Sequence, residues 1–119
     1  MVRVLVTVEP RLYREAITIA LQRDRPDAEV MLAPEVILDG QVRDFAPHVL
    51  VRNDSGGEFP ERDLASVVVR LEIIYTDHMA ARVTVGGRSY TIEDASMDDL
   101  LSLVDEAGVL IERDEGPTT

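Results

Sequence analysis

The chain has 119 residues, with 23 acids against 12 bases for a formal charge of −11, and it contains neither cysteine nor lysine. This length suits one domain, and the missing cysteines exclude disulfides, thiolate metal sites and cysteine nucleophiles. An acidic balance without a basic cluster excludes nucleic acid and an anionic membrane surface as expected partners, and no leader-like or membrane-spanning run is read, so a cytoplasmic location is expected.

The opening stretch VRVLVTV, Val2 to Val8, is apolar at all but Arg3 and Thr7, the composition of a strand covered on both faces of a mostly parallel sheet. Pro10 suits the first turn of a helix, and Leu12, Ala16, Ile19 and Ala20 then recur at helical spacing until RDRPD stops the run. AEVMLA predicts a second short strand. Leu38, Val42 and Phe45 fall at i, i+4 and i+7, the stripe of a short helix that ends before Pro47. His48 to Val51 reads as a third strand, and RNDSGG after it as a loop. Two strand–helix–strand units in succession imply a parallel sheet with right-handed crossovers.

The second half breaks that rhythm. Between Asn53 and a fourth strand, Val67 to Ile73, there is room for about one helical turn around Glu61 to Leu64, not for a crossover helix. Further on, ARVTV and RSYTIE flank Gly86 and Gly87, a hairpin signal of the type I′ kind. Val69, Leu71 and Ile73 alternate with Arg70 and Glu72, and Ala81, Val83 and Val85 with Arg82 and Thr84, so one face of this part of the sheet is expected to be wet. Ser96 is placed to cap a last helix with the apolar stripe Leu100, Leu101, Leu103, Val104 and Ala107, stopped by Gly108. Residues 113–119 read as a disordered acidic tail, leaving 1–112 as the single domain.

Three stretches carry a resemblance. VRVLVTVEPRLYREAI, FAPHVLVRND and YTIEDASMDDLLSLVDEAG resemble parts of the receiver domain of two-component response regulators, especially the kind joined to a C-terminal helix-turn-helix. RLYREAI echoes a segment much like PLFREGL there, and the last stretch one much like GYLLKDASPEELL. The resemblance implies a three-layer, flavodoxin-like α/β fold with strand order 2-1-3-4-5. In this chain the third and fourth helices would be lost or shortened and an antiparallel hairpin, residues 81–93, added. The hairpin strand fits either between strands four and five or outside strand five.

In that family two acids after the first strand hold Mg²⁺, an aspartate ending the third strand accepts phosphate, a Ser or Thr ends the fourth, and a lysine ends the fifth. Carried onto this chain, the acid pair falls on Val8 and Glu9, the phosphoacceptor on Asn53, the hydroxyl position on Leu71 and the lysine on Glu93. An anion at the last position repels a developing phosphoryl charge, and an asparagine amide is a poor nucleophile. The resemblance therefore implies a pseudo-receiver without phosphorelay chemistry: no enzyme and no cofactor, but a signalling domain that works by protein–protein association, as a homodimer above all.

Two alternatives stand beside it. Asp54 could accept phosphate with Glu9 and Mg²⁺, although on a strand a one-residue slip turns its side chain to the opposite face. A small-ligand sensor could instead bind at the carboxyl edge near Asn53, Ser55 and Glu93. Glu9 and Asp54 are accordingly the candidate metal ligands. His48 and His78 have no metal-ligand spacing, and neither Ser55 to Gly57 nor Gly86-Gly87 has the pattern of a phosphate loop.

Overall fold

The structure, a computed structural model, describes residues 1–32, 44–53, 65–74 and 79–114. Strand β1 (Arg3–Val6) leads into helix α1 (Arg11–Asp24), followed by β2 (Glu29–Leu32), β3 (Val49–Asn53), β4 (Val69–Ile74), β5 (Ala80–Val85), β6 (Arg88–Ile92) and helix α2 (Met97–Asp114). The expected helix residues Leu38 and Val42, the turn at 61–64, Asp54, Ser55 to Gly57, His78 and the end of the tail from residue 115 lie outside the described residues. Asp44 and Phe45 are helical.

Among the described residues the strands form one six-stranded sheet in the order β2-β1-β3-β4-β5-β6. The first four strands run parallel, and β5 is antiparallel to both its neighbours. The α/β class holds, but the order 2-1-3-4-5 needs correction, because β5 intervenes between β4 and the strand carrying Tyr90 and Ile92. The cause is chain length: residues 75–79 are too few for a crossover, so the chain turns back beside β4, and the glycine turn then adds β6 outside. The turn also departs from type I′. Only Gly86 takes a positive φ, 61°, which is the type II′ requirement at the first central position.

The two faces of the sheet differ as the alternation predicts. On one face the rows Val4, Val49, Val69, Val85 and Val6, Val51, Leu71, Val83 run across four strands, all buried beneath α1 and α2. On the other, Leu5 and Leu50 form a smaller cluster with Met31, Phe45 and Val67, and the row continues as Arg70, Thr84 and Ser89. The next row sets Arg52, Glu72 and Arg82 side by side on β3, β4 and β5, alternating in charge as favourable cross-strand neighbours do.

Helix α2 opens with a capping box. The Ser96 N–H donates to Asp99 Oδ2 at 2.8 Å while the Asp99 N–H reaches Ser96 Oγ at 3.4 Å, so two backbone donors are satisfied reciprocally. Gly108 does not stop this helix, which continues to Asp114. Ile111, one turn beyond the glycine, is buried, and its packing outweighs the cost of about 1 kcal/mol for a glycine in a helix interior.

Helix α1 is rolled against the face its periodicity suggests. Leu12, Ala16 and Ile19 face solvent, whereas Arg14, Thr18 and Leu21 are buried. Both sets recur at helical spacing, so the pattern alone does not choose between them. The choice is made by Leu21, which is fully buried, and by the ion pair of Arg14 described next.

Candidate functional site at the carboxyl edge of the sheet

Open α/β sheets place ligands at the carboxyl ends of their parallel strands. Here that edge starts with Val8 and Glu9 beyond β1 and with Asn53 at the end of β3. Val8 is fully buried and carries no chemistry. The Glu9 N–H donates to Asn53 Oδ1 at 2.9 Å, and Asn53 Nδ2 donates to the Glu9 carbonyl oxygen at 3.0 Å. The side-chain amide thus grips one residue's backbone by both donor and acceptor. A carboxylate at position 53 would satisfy only the first of these bonds and would turn a lone pair towards the carbonyl.

The Glu9 carboxylate is held in turn. Arg14 Nη1 donates to Glu9 Oε1 at 2.7 Å, and the arginine side chain is 8% exposed against 51% for the glutamate. A charge-assisted bond of this length is what allows a guanidinium to sit under the first turn of α1. The backbone there fits the same arrangement: Pro10 is the N-cap without a side-chain cap, and its carbonyl accepts from the N–H groups of Tyr13 and Arg14. Sequence reasoning missed Arg14. Its spacing to Ile17, Thr18 and Leu21 was the available signal, one helical face competing with the more apolar one.

The remaining matched positions are not gathered with these. Glu93 lies just past the end of β6, exposed, and β6 is three places from β3, about 14 Å at ordinary strand spacing. Glu93, which the small-ligand reading sets near Asn53, therefore stands apart from it along this edge, because β4 and β5 lie between β3 and β6. Among the described residues no group of three or more His, Asp or Glu side chains is arranged to hold a metal ion. Asp54 is outside the described residues.

Leu71, which the resemblance matches to a hydroxyl position, is a buried apolar residue here. It lines an apolar cleft of ≈ 250 Å³ between the N-terminal halves of α1 and α2, together with Tyr13, Ile17, Ile73, Met79 and Met97. Two residues beside it adopt left-handed backbone, Met79 with φ 38° and Asp94 with φ 53°, and the Ala95 N–H donates to the Met79 carbonyl oxygen at 3.0 Å between them. Such conformations cost about 1–2 kcal/mol for residues other than glycine, so the cleft's rim is built at an energetic cost.

A larger and shallower groove of ≈ 440 Å³ lies at the opposite ends of the two helices. Arg25 and Asp105 close it with paired bonds of 2.8 Å, and these hydrogen bonds, helped by the arginine's charge and opposed by desolvation, hold the Asp105 carboxyl below its ordinary value. His48 sits at the amino edge of β3, buried, with Nδ1 accepting the Arg3 backbone N–H at 3.0 Å and Arg3 Nη2 3.2 Å from Nε2. Those contacts are structural. No helix among the described residues is long and apolar enough to cross a membrane.

Comparison with protein-family models, with curated proteins and with solved structures finds no match for this chain.

Proposed function

We propose that this chain is a pseudo-receiver: a receiver-like signalling domain that has exchanged phosphoryl transfer for contact with other proteins, another copy of itself foremost. One observation carries the reading. At the carboxyl edge, Asn53 spends its amide on the Glu9 backbone while Arg14 binds the Glu9 carboxylate. In a receiver this edge needs an acid pair to bind Mg²⁺ and a carboxylate to attack phosphorus. Here Val8 removes one acid, Arg14 supplies a fixed cation beside the other, and the amide of Asn53 offers no nucleophile. Glu93, in place of a cation, adds charge of the wrong sign for a phosphoryl dianion.

The test is incubation of the chain with acetyl phosphate and Mg²⁺, read by intact mass. Unmodified mass is expected; an alkali-labile phosphoryl adduct lost in Asp54→Asn would transfer the function to the phosphoacceptor alternative.

The apolar cleft favours a second reading, capture of a small apolar molecule between α1 and α2. A ligand at 100 times its dissociation constant adds about 2.7 kcal/mol of stability, so a screen of small aromatic and aliphatic compounds by thermal shift tests this directly. A hit abolished by Met97→Arg, at a partly buried lining position, in a variant that still melts cooperatively would support the reading, and a flat screen would remove it.

A further inference from the structure

Strand β6 closes one side of the sheet, paired with β5 and, among the described residues, with no other strand. Val85 and Arg88 meet across the two-residue glycine turn, so Arg88, Tyr90 and Ile92 direct their backbone N–H and carbonyl groups to β5, and those of Ser89 and Thr91 point outward from the sheet. No backbone group among the described residues answers them. Open edges are usually blunted by a proline, a bulge or an inward-pointing charge. β6 has none of these: its register with β5 runs unbroken from Arg88 to Ile92, its single charge, Arg88, stands at the hairpin end, and Tyr90, Thr91 and Ile92 all favour extended backbone.

We propose that this edge is a self-association surface, on which β6 of a second copy pairs antiparallel about a two-fold axis through Tyr90 and carries the sheet from one molecule into the next. The inference rests on the contact reading above and names its surface. The outward backbone groups call for an extended strand, because that conformation presents donors and acceptors at the same spacing. An axis through Tyr90 keeps every pair within β6. Ser89 exchanges both N–H···O bonds with the partner's Thr91, Arg88 stands opposite the partner's Ile92, and the two Tyr90 side chains meet at the closely spaced, non-hydrogen-bonded position. The axis is perpendicular to the sheet, so the helices of both copies stay on one side of it.

Charge selects a second copy over an arbitrary strand. β6 runs from a cation to two acids, with Arg88 at one end and Glu93 and Asp94 just beyond the other. Arg88 is exposed and belongs to none of the ion pairs among the described residues, and Glu93 and Asp94 are exposed as well. Antiparallel pairing brings each Arg88 beside the partner's Glu93 and Asp94, at both ends by symmetry. A parallel pairing would set Arg88 against Arg88 and acid against acid. A contact made by one strand pair falls below the roughly 1,200 Å² of stable complexes, so the dimer is a weak, concentration-dependent one.

The experiment is sedimentation velocity of the full chain from micromolar to millimolar concentration, with Thr91→Pro, Thr91→Val and Arg88→Glu beside it, and oxidation of single-cysteine variants of this cysteine-free chain. The expected result is reversible dimerisation, weakened roughly tenfold or more by Thr91→Pro, which removes the outward N–H, and little changed by Thr91→Val, which keeps it. Arg88→Glu should weaken the dimer as well, by setting acid beside acid. Proline is tolerated on an edge strand where its N–H would face solvent, and Arg88 is exposed, so both variants are expected to fold, which a circular-dichroism melt of each checks. Disulfide dimers should form faster with Tyr90→Cys, on the axis, than with Ile19→Cys on the outer side of α1. Dimerisation that ignores both Thr91→Pro and Arg88→Glu, or faster cross-linking through Ile19→Cys, overturns this edge and leaves the contact reading standing. A chain that stays monomeric at millimolar concentration overturns self-association itself. Failure of the contact reading has a separate signature, a phosphoryl adduct in the mass experiment.

Discussion

At the scale of single residues, the Asn53 grip and the Glu9–Arg14 pair hold this edge together, and each makes a prediction. Asn53→Asp should cost about 1–2 kcal/mol, since it loses the bond from Nδ2 and faces the Glu9 carbonyl with an acceptor. A urea melt measures it, and an unchanged midpoint would mean the amide's donor is dispensable. Glu9→Gln removes the counter-charge of a buried guanidinium and is expected to destabilise by about 1–2 kcal/mol, the half-exposed carboxylate keeping the figure below that of a fully buried pair. Arg11→Ala, which breaks only an exposed i,i+4 pair, should stay within about 0.5 kcal/mol. Equal effects in the two variants would remove Arg14 from the account.

The Arg25–Asp105 pair gives a pH dependence. Because Asp105 is held below its ordinary value in the fold, its contribution is present above the unfolded carboxyl pKa of about 3.9 and is lost as pH falls through the lower folded value. Wild type and Asp105→Asn should therefore differ slightly in urea stability at neutral pH, and converge in strong acid. The effect is small because Asp105 is more than half exposed and solvent screens the pair. A gap that widened with acid would contradict the assignment.

At the scale of elements, the two glycines under different constraints should respond oppositely. Gly86→Ala strains a position with φ 61° and is expected to cost about 1 kcal/mol, although nothing lies within 4 Å of the added methyl. Gly108→Ala adds a methyl in ordinary contact, 3.5 Å from Val2 Cγ2, and should stabilise α2 by up to about 1 kcal/mol. Thermal melts of the two variants shifting in the same direction would undo this reading of the turn or of the helix.

Much of this level was legible in advance. The β-branched runs and their alternation located the strands, the missing crossover length and Gly86-Gly87 announced an antiparallel pair, and Ser96 marked the start of α2. What was not legible has a common cause: it depends on contacts between distant residues. The roll of α1 is decided by Arg14 reaching back to Glu9 and by Leu21 meeting the sheet, and the extension of α2 past Gly108 by the burial of Ile111. Asn53 could be matched to a position by resemblance, but its grip on Glu9 spans 44 residues and has no local signature.

At the scale of the whole molecule, the antiparallel strand β5 accounts for several features together. β5 sets Glu93, just past the end of β6, three strands away from the β3 edge that carries Asn53. The cleft that Leu71 helps to line is apolar and lies between the two helices. A carboxyl edge closed by the Asn53 grip and the Glu9–Arg14 pair is in keeping with the contact function proposed above. The most direct test is an amide NMR titration of the chain with Mg²⁺ and beryllofluoride, the mimic of an aspartyl phosphate. Resonances of Glu9, Arg14, Asn53 and Glu93 are expected to stay in place through low millimolar Mg²⁺, within the range shown by distant residues such as Thr91. Saturable shifts centred on Glu9 and Asn53 would contradict the account and return this edge to phosphoryl chemistry.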